Sequence, residues 1–337
     1  TFGLVGDEAD AALAAAVPGG LGYDDRLKHN RQQEALFEKT NPGAALGADI
    51  GGAVLGAALP LGAVGTLGRG AGMASRIGAS AAAGSGSLSV LQVTSAGGLV
   101  LTDHVLDNLT SRFDGVSALE TITIGDRVFL VAGGADDGLS LLTLLPDGRL
   151  LHLGQIADSV QTSMTNISAI ALRELNGEIE VFVSGAAEAG ITHLSIDPGA
   201  LGATQIGSAA NETLTGTAAG DLLAGGEGDD ILIGGGGDDI LLDGAGSDIL
   251  RGGAGNDIFV LTADGQIDRI EQFELGNDRL DLSGLGYLRN IGQLTFETEV
   301  DGITIRFGNE EIRIVSNDLA PLTAAHFTAA DLLDLDH

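Results

Sequence analysis

The chain has 337 residues and a formal charge of −31, with 16 Lys+Arg against 47 Asp+Glu. So acidic a chain repels phosphate, which excludes nucleic acid and disfavours anionic membranes, and the absence of Cys excludes disulfides, thiol catalysis and thiolate-bound zinc. Gly, at 54 residues, is about twice its usual share, a composition that suits a chain folded with the help of a cation.

Residues 1–85 stand apart from the rest. A polar stretch of helical character covers residues 24–39 and stops at Asn41-Pro42, a helix breaker. Residues 50–68 carry no charge, close to the length of a spanning helix of about 20 residues. Their glycines and Pro60 weaken any helix in water, while Gly47/Gly51 and Gly52/Gly56 have the spacing for close helix packing. The segment reads as a Gly/Ala-rich, partly helical or flexible anchor, with membrane contact through residues 50–68 as the alternative. Asp7, Glu8 and Asp10 stand where a secretory leader would be basic.

Residues 86–206 read as β-strands. RVFLVAGG, LSLLTLLPDGRLLHLG and EIEVFVSG contain or flank the turns Asp147-Gly148 and Asn176-Gly177. The stretch from Gly115 repeats from Asn166, and four short strands at this period resemble a β-propeller blade. Two such units cannot close a propeller of about 4–8 blades. Either they form an open sheet packed on a neighbour, which is the simpler arrangement, or several chains complete a ring. The acidic loop GGADDG at residues 133–138 reads as a turn, because its repeat mate GAAEAG lacks the two aspartates.

Residues 207–260 divide into the nonapeptides GSAANETLT, GTAAGDLLA, GGEGDDILI, GGGGDDILL, DGAGSDILR and GGAGNDIFV. Position six is Glu212, Asp221, Asp230, Asp239, Asp248 and Asp257; position eight is Leu214, Leu223, Leu232, Leu241, Leu250 and Phe259. Each unit is a six-residue turn followed by a short strand. Gly226, Gly228, Gly235, Gly237, Gly244, Gly246, Gly253 and Gly255 permit positive φ and bring carbonyls inward. The Asp adds a hard anionic oxygen, and calcium takes about 6–8 such oxygens from carboxylates and carbonyls. These residues are the candidate metal site. Position eight points into the roll as its only core, and Asp229 and Asp238, at position five, face solvent. Ten acids in this segment repel one another without metal, so the roll is expected to be unfolded without calcium and folded with it.

The run GGxGxDxUx resembles the RTX (hemolysin-type) calcium-binding repeat. The resemblance implies a parallel β-roll with two nonapeptides per turn, in which Asp221 pairs with Asp239, Asp230 with Asp248, Asp239 with Asp257, and Glu212 with Asp230. About three to four calcium ions follow from that stacking. The first two units depart from the glycine pattern and read as a degenerate cap.

The following segment, from Asp264, resembles that after the repeats of serralysin-type C-terminal domains, with Asp268, Phe273, Gly276, Asp278, Leu280, Asp281 and Leu282 at its acidic and apolar positions. LTFETEV, GITIRFG and EEIRIV then alternate as three antiparallel strands capping the roll. The tail HFTAADLLDLDH reads equally as a terminal helix or, by resemblance, as the C-terminal signal of type I secreted RTX proteins.

No HExxH, GxSxG or P-loop is present, and His29, His104, His152, His193, His326 and His337 are scattered, so no enzyme is expected. The fold class is mainly β: a parallel roll with an antiparallel cap, behind propeller-like repeats and the N-terminal segment. The divisions are 1–85, 86–206, 207–260 and 261–337. The function expected is an extracellular calcium-binding module for adhesion or recognition of a cell-surface or glycan ligand. Residues 22–56 also resemble the N-terminal region of certain phage virion proteins, which implies a tail or capsid appendage of several subunits. A secreted membrane-active effector is a further reading.

Overall fold

The computed structural model describes residues 76–333, apart from 82–85, 95–97, 108–110, 160–161, 287, 289 and 329–331. The expected helix at 24–39, the apolar run at 50–68 and the phage-like stretch at 22–56 lie outside the described residues.

Turn chemistry sets the first three sheets. Asn176 (φ 56°) and Gly177 (φ 90°) are both left-handed, as a two-residue hairpin turn between right-twisted strands requires. The first sheet is β1 (Arg76–Ala81), β2 (Ser87–Val93) and β3 (Leu99–Leu106). The second is β4 (Ala118–Ile124), β5 (Arg127–Gly133), β6 (Gly138–Leu144) and β7 (Leu150–Ala157); the third is β8 (Ile167–Leu175), β9 (Glu178–Gly185) and β10 (Thr192–Ile196). All are antiparallel meanders. β1, β2 and β3 each begin 51 residues before β5, β6 and β7. A third unit therefore precedes the two read from the sequence, and the division at 85/86 falls inside the β1–β2 hairpin. Its first strand, RIGASA, has little β-propensity of its own and gains its structure from pairing.

The sheets stack face to face. β5 is buried along its whole length. Val128, Leu130 and Ala132 meet Leu88 and Val90 of the first sheet, while Phe129 and Val131 meet Ile179, Val181 and Val183 of the third. A continuous apolar strand is what burial on two faces demands.

The roll follows. Its strands are β11 (Leu201–Ile206), β12 (Thr213–Thr215), β13 (Gly220–Glu227), β14 (Ile231–Gly236), β15 (Ile240–Ala245), β16 (Ile249–Ala254), β17 (Ile258–Thr262), β18 (Ile267–Phe273) and β19 (Arg279–Gly284). After them come β20 (Thr295–Glu299), β21 (Gly302–Phe307), β22 (Glu310–Ser316) and β23 (Leu332–Leu333). Alternate strands form two sheets. One, the docked sheet, is β11-β13-β15-β17-β19-β23, parallel throughout. The other is β12-β14-β16-β18-β22 in parallel, closed by β21 and β20 in antiparallel. The winding is a β-solenoid of about 5 turns over residues 201–284.

Two of these strands depart from the expected divisions. β11 begins 51 residues after β7, so it is the fourth strand of the third repeat unit, yet it pairs with β13 of the roll. The roll also runs past residue 260 through β18 and β19. In the tail, residues 332–333 are strand rather than helix, and Leu332 is fully buried in the roll core.

Leu223, Leu232, Leu241, Leu250 and Phe259 are 0% exposed and form the inner core, continued by Ile270, Leu280 and the cap residues Ile303, Ile305, Ile312 and Ile314. They are not the only core. Leu222, Ala224, Ile240, Leu242, Ile258 and Val260 line the outer face of the docked sheet and pack on Leu145, just past β6, and on Leu151 of β7. LLA, ILL and IFV, brought onto one sheet by two repeats per turn, are apolar at positions seven and nine as well as eight; ILI on the other sheet is too, but its Ile231 and Ile233 are only half-buried, because it is the docked face that the second sheet covers.

Candidate metal centre

The turns of the central nonapeptides are built by glycine. Gly226, Gly235, Gly244 and Gly253 have φ of 101°, 114°, 104° and 109°, a region other residues rarely adopt. A Cβ on any of them would strike the carbonyl oxygen of the residue eighteen earlier: Ser208, Thr217, Gly226 and Gly235 respectively. Gly246 and Gly255 lie in the same way against the carbonyls of Gly228 and Gly237. The fourth-position glycines, Gly228 and Gly237 included, are left-handed too, with φ between 93° and 147°. Glycine thus lets successive turns approach to within direct backbone contact.

The position-six carboxylates form a ladder inside these turns. Asp221, Asp230, Asp239, Asp248 and Asp257 are at most 1% exposed. One oxygen of each aspartate accepts the backbone N–H one turn before. Glu212 N donates to Asp230 Oδ1 (2.7 Å), Asp221 N to Asp239 Oδ1 (2.7 Å), Asp230 N to Asp248 Oδ1 (2.7 Å) and Asp239 N to Asp257 Oδ1 (2.9 Å). The pairs expected from the resemblance are brought together in this way.

The second oxygen divides the turns into two kinds. In the terminal turns it is occupied: Thr217 N donates to Asp221 Oδ2 (2.6 Å), Ser208 N to Glu212 Oε2 (2.5 Å) and Glu274 N to Asp278 Oδ2 (2.8 Å). In the glycine turns it is not. Oδ2 of Asp230, Asp239, Asp248 and Asp257 is buried with no hydrogen-bond partner. Such oxygens are costly to leave bare. Burial accordingly pushes Asp239 up to about 7, Asp248 and Asp257 to about 6, and Asp230 upward. Four buried carboxylate oxygens without a hydrogen-bond partner are hard anionic donors of the kind calcium takes. Among the described residues no three Asp, Glu or His side chains converge on one point, so carbonyls must supply much of any coordination sphere.

The ladder extends beyond the sequence-derived residues. Asp248 N donates to Asp268 Oδ1 (3.1 Å) and Asp257 N to Asp278 Oδ1 (3.1 Å). Both acids are buried and pushed up to about 7. Their spacings, 20 and 21 residues rather than 18, hide them from a nine-residue frame. Asp243 was also missed, though it replaces the first-position glycine of its repeat. It is 1% exposed, and its Oδ2 accepts the N–H of Thr262 (3.0 Å).

Asp229 and Asp238 are exposed, as expected. They clamp the backbone from outside: Ser247 N donates to Asp229 Oδ1 (3.0 Å) and Asn256 N to Asp238 Oδ1 (2.8 Å). In the loop at 133–138, Asp137 Oδ1 accepts the N–H of Asn166 (2.9 Å), tying the second sheet to the third.

The RTX calcium-binding nonapeptide repeat family (4 copies) matches residues 206–241 and 233–264. No curated protein matches the chain. Among solved structures, the AlgE6R2 subunit of the Azotobacter vinelandii mannuronan C5-epimerase is 31% identical over 39% of this chain and 91% of its own, with a TM-score of 0.33. The AlgE6R3 subunit of the same enzyme is 29% identical over 41% and 85%, with a TM-score of 0.31. The extracellular lipase LipA of Serratia marcescens is 18% identical over 60% of this chain and 30% of its own, with a TM-score of 0.33.

Proposed function

This chain belongs to the proteins built on RTX calcium-binding nonapeptide repeats, and from that premise we propose that it is an extracellular, non-enzymatic recognition module whose roll folds on calcium. The unpartnered Oδ2 atoms of Asp230, Asp239, Asp248 and Asp257 carry this reading. Each would hold one ion together with carbonyls of the glycine turns, which gives four ions. Bound calcium supplies positive charge to a stack of buried carboxylates. The chain's own residues do the rest: Oδ1 of each Asp fixes the distance between turns, and the glycines aim the carbonyls.

Support for an extracellular site of action comes from the coupling of folding to binding. Ligands of this kind, in a roll that must fold as it binds, suit the high calcium concentrations outside cells. The stacked sheets before the roll would present their loops to the ligand, a cell-surface or glycan group. The test is a calcium titration of the full chain, followed by far-UV CD and by size. The expected result is a cooperative gain of β signal with compaction. Full β signal from the roll in excess chelator would overturn the reading. Binding to an array of glycans in calcium, lost in chelator, would test the recognition role.

A further inference from the structure

The first turn of the docked sheet lies next to a cation that the chain itself provides. Arg127 opens β5 in the second sheet, outside the roll, and is only 7% exposed. Its Nη2 donates to the carbonyl of Gly220 (3.0 Å), the residue before Asp221. The charges that bear most on it are those of Asp221 and Asp239, and they offset part of the cost of burying it.

This turn also differs from the glycine turns in its own construction. It reads GTAAGD, with Thr217 and Ala219 where the later units have left-handed glycines, and neither adopts positive φ. The Asp221 carboxylate is fully engaged: it accepts the N–H of Ala203 on β11, the N–H of Thr217 (2.6 Å) and the hydroxyl of Thr217 (3.1 Å). One turn later, Asp239 leaves Oδ2 bare. The strand beneath the first turn, β11, belongs by its period to the stacked sheets.

We propose that Arg127 is the resident cation of the first turn, holding Gly220, and through it the neighbouring Asp221, in place so that the stacked sheets template the roll and calcium adds turns from that end. Arg127 is then a positioning residue for the ion held at Asp239. The proposal rests on the calcium reading above, and by linkage a roll templated in this way binds calcium more tightly than one that must form its first turn unaided.

Hydrogen exchange on the full chain, with calcium and after its removal, tests this. In the calcium-free wild type, amides of residues 201–206 and 217–223 are expected to stay protected while those of 231–254 exchange freely. Arg127→Met should abolish that residual protection and raise the calcium midpoint by about five- to tenfold. Arg127→Lys, which keeps the charge, should restore most of both. Arg149→Met removes a second arginine of the interface, which donates to Leu261 O (3.4 Å) and Thr262 Oγ1 (3.2 Å); it should lower stability and leave the first turn protected. A calcium-free wild type in which 217–223 exchange as fast as 231–254 overturns the role of Arg127, as does an Arg127→Met titration superimposed on that of the wild type. If Arg127→Met loses protection at residues 128–132, its sheet has not folded, and the wild-type pattern alone decides. Exchange in 207–260 that ignores calcium altogether would overturn the calcium reading itself, a separate outcome.

Discussion

Asp239 divides two tasks between two oxygens: Oδ1 holds the turn before it, and Oδ2 is left bare for a cation. Asp239→Asn keeps the shape and removes the charge. The expected result is a calcium midpoint raised by about tenfold or more, since calcium affinity follows the charge count of its ligands and the amide oxygen carries none. Asp229→Asn, on an exposed clamp, should shift it by less than about twofold. The same buried groups set a pH dependence. An unfolded aspartate titrates near 3.9, whereas burial holds Asp239 at about 7 and Asp248 and Asp257 at about 6 in the calcium-free fold. Between those limits the folded roll binds more protons than the unfolded chain, so its stability falls as pH rises. Calcium-free protein taken from neutral pH to about 4.5 should therefore gain β signal by far-UV CD; a loss would contradict the burial of these groups.

At the scale of the element, the glycine turn sets how closely strands stack. Gly235 has φ 114°, and a Cβ there would strike the carbonyl oxygen of Thr217. Gly265 is also left-handed, at φ 79°, but a Cβ there meets nothing within 4 Å. Both alanine variants bear the left-handed strain of about 1–2 kcal/mol, and only Gly235→Ala adds an overlap between turns. Thermal unfolding in saturating calcium should show the larger loss for Gly235→Ala. Equal losses would mean that the spacing of turns relaxes freely. Glycines two and four of the last four repeats were legible as candidate site residues because nine-residue spacing makes them recur. Asp268 and Asp278 were legible only as acidic positions of the segment after the repeats and not as rungs of the ladder, because short insertions shift them while the ladder continues through space.

For the whole molecule, the roll and the stacked sheets share one interface. Leu242 of the docked sheet is 4% exposed in a cluster with Leu145 and Leu151. β11 crosses from one repeat system into the other. In saturating calcium the described part of the chain should unfold as one unit. Leu242→Asp places a charge in that apolar layer and is expected to split calorimetric unfolding into two transitions. A single transition at lower temperature would mean that β11 and the two arginines carry the coupling without the apolar layer.

What is local and periodic could be read from the residues alone. A turn-plus-strand every nine residues sets the roll, puts Leu223, Leu232, Leu241, Leu250 and Phe259 on its inside, and stacks acids eighteen residues apart, because each unit repeats the same turn chemistry. The hairpins at Asn176-Gly177 and in the cap were legible for the same reason. The tertiary structure decided what depends on distant neighbours. RIGASA became a strand through its partner β2, and β11 joined the roll because β13 offers it an edge. The outer face of the docked sheet became a second core because the second sheet covers it. Which carboxylate oxygens stay bare was decided there too: it depends on whether the amide four residues earlier turns toward the acid, as at Thr217, or the turn is left-handed, as at Gly235.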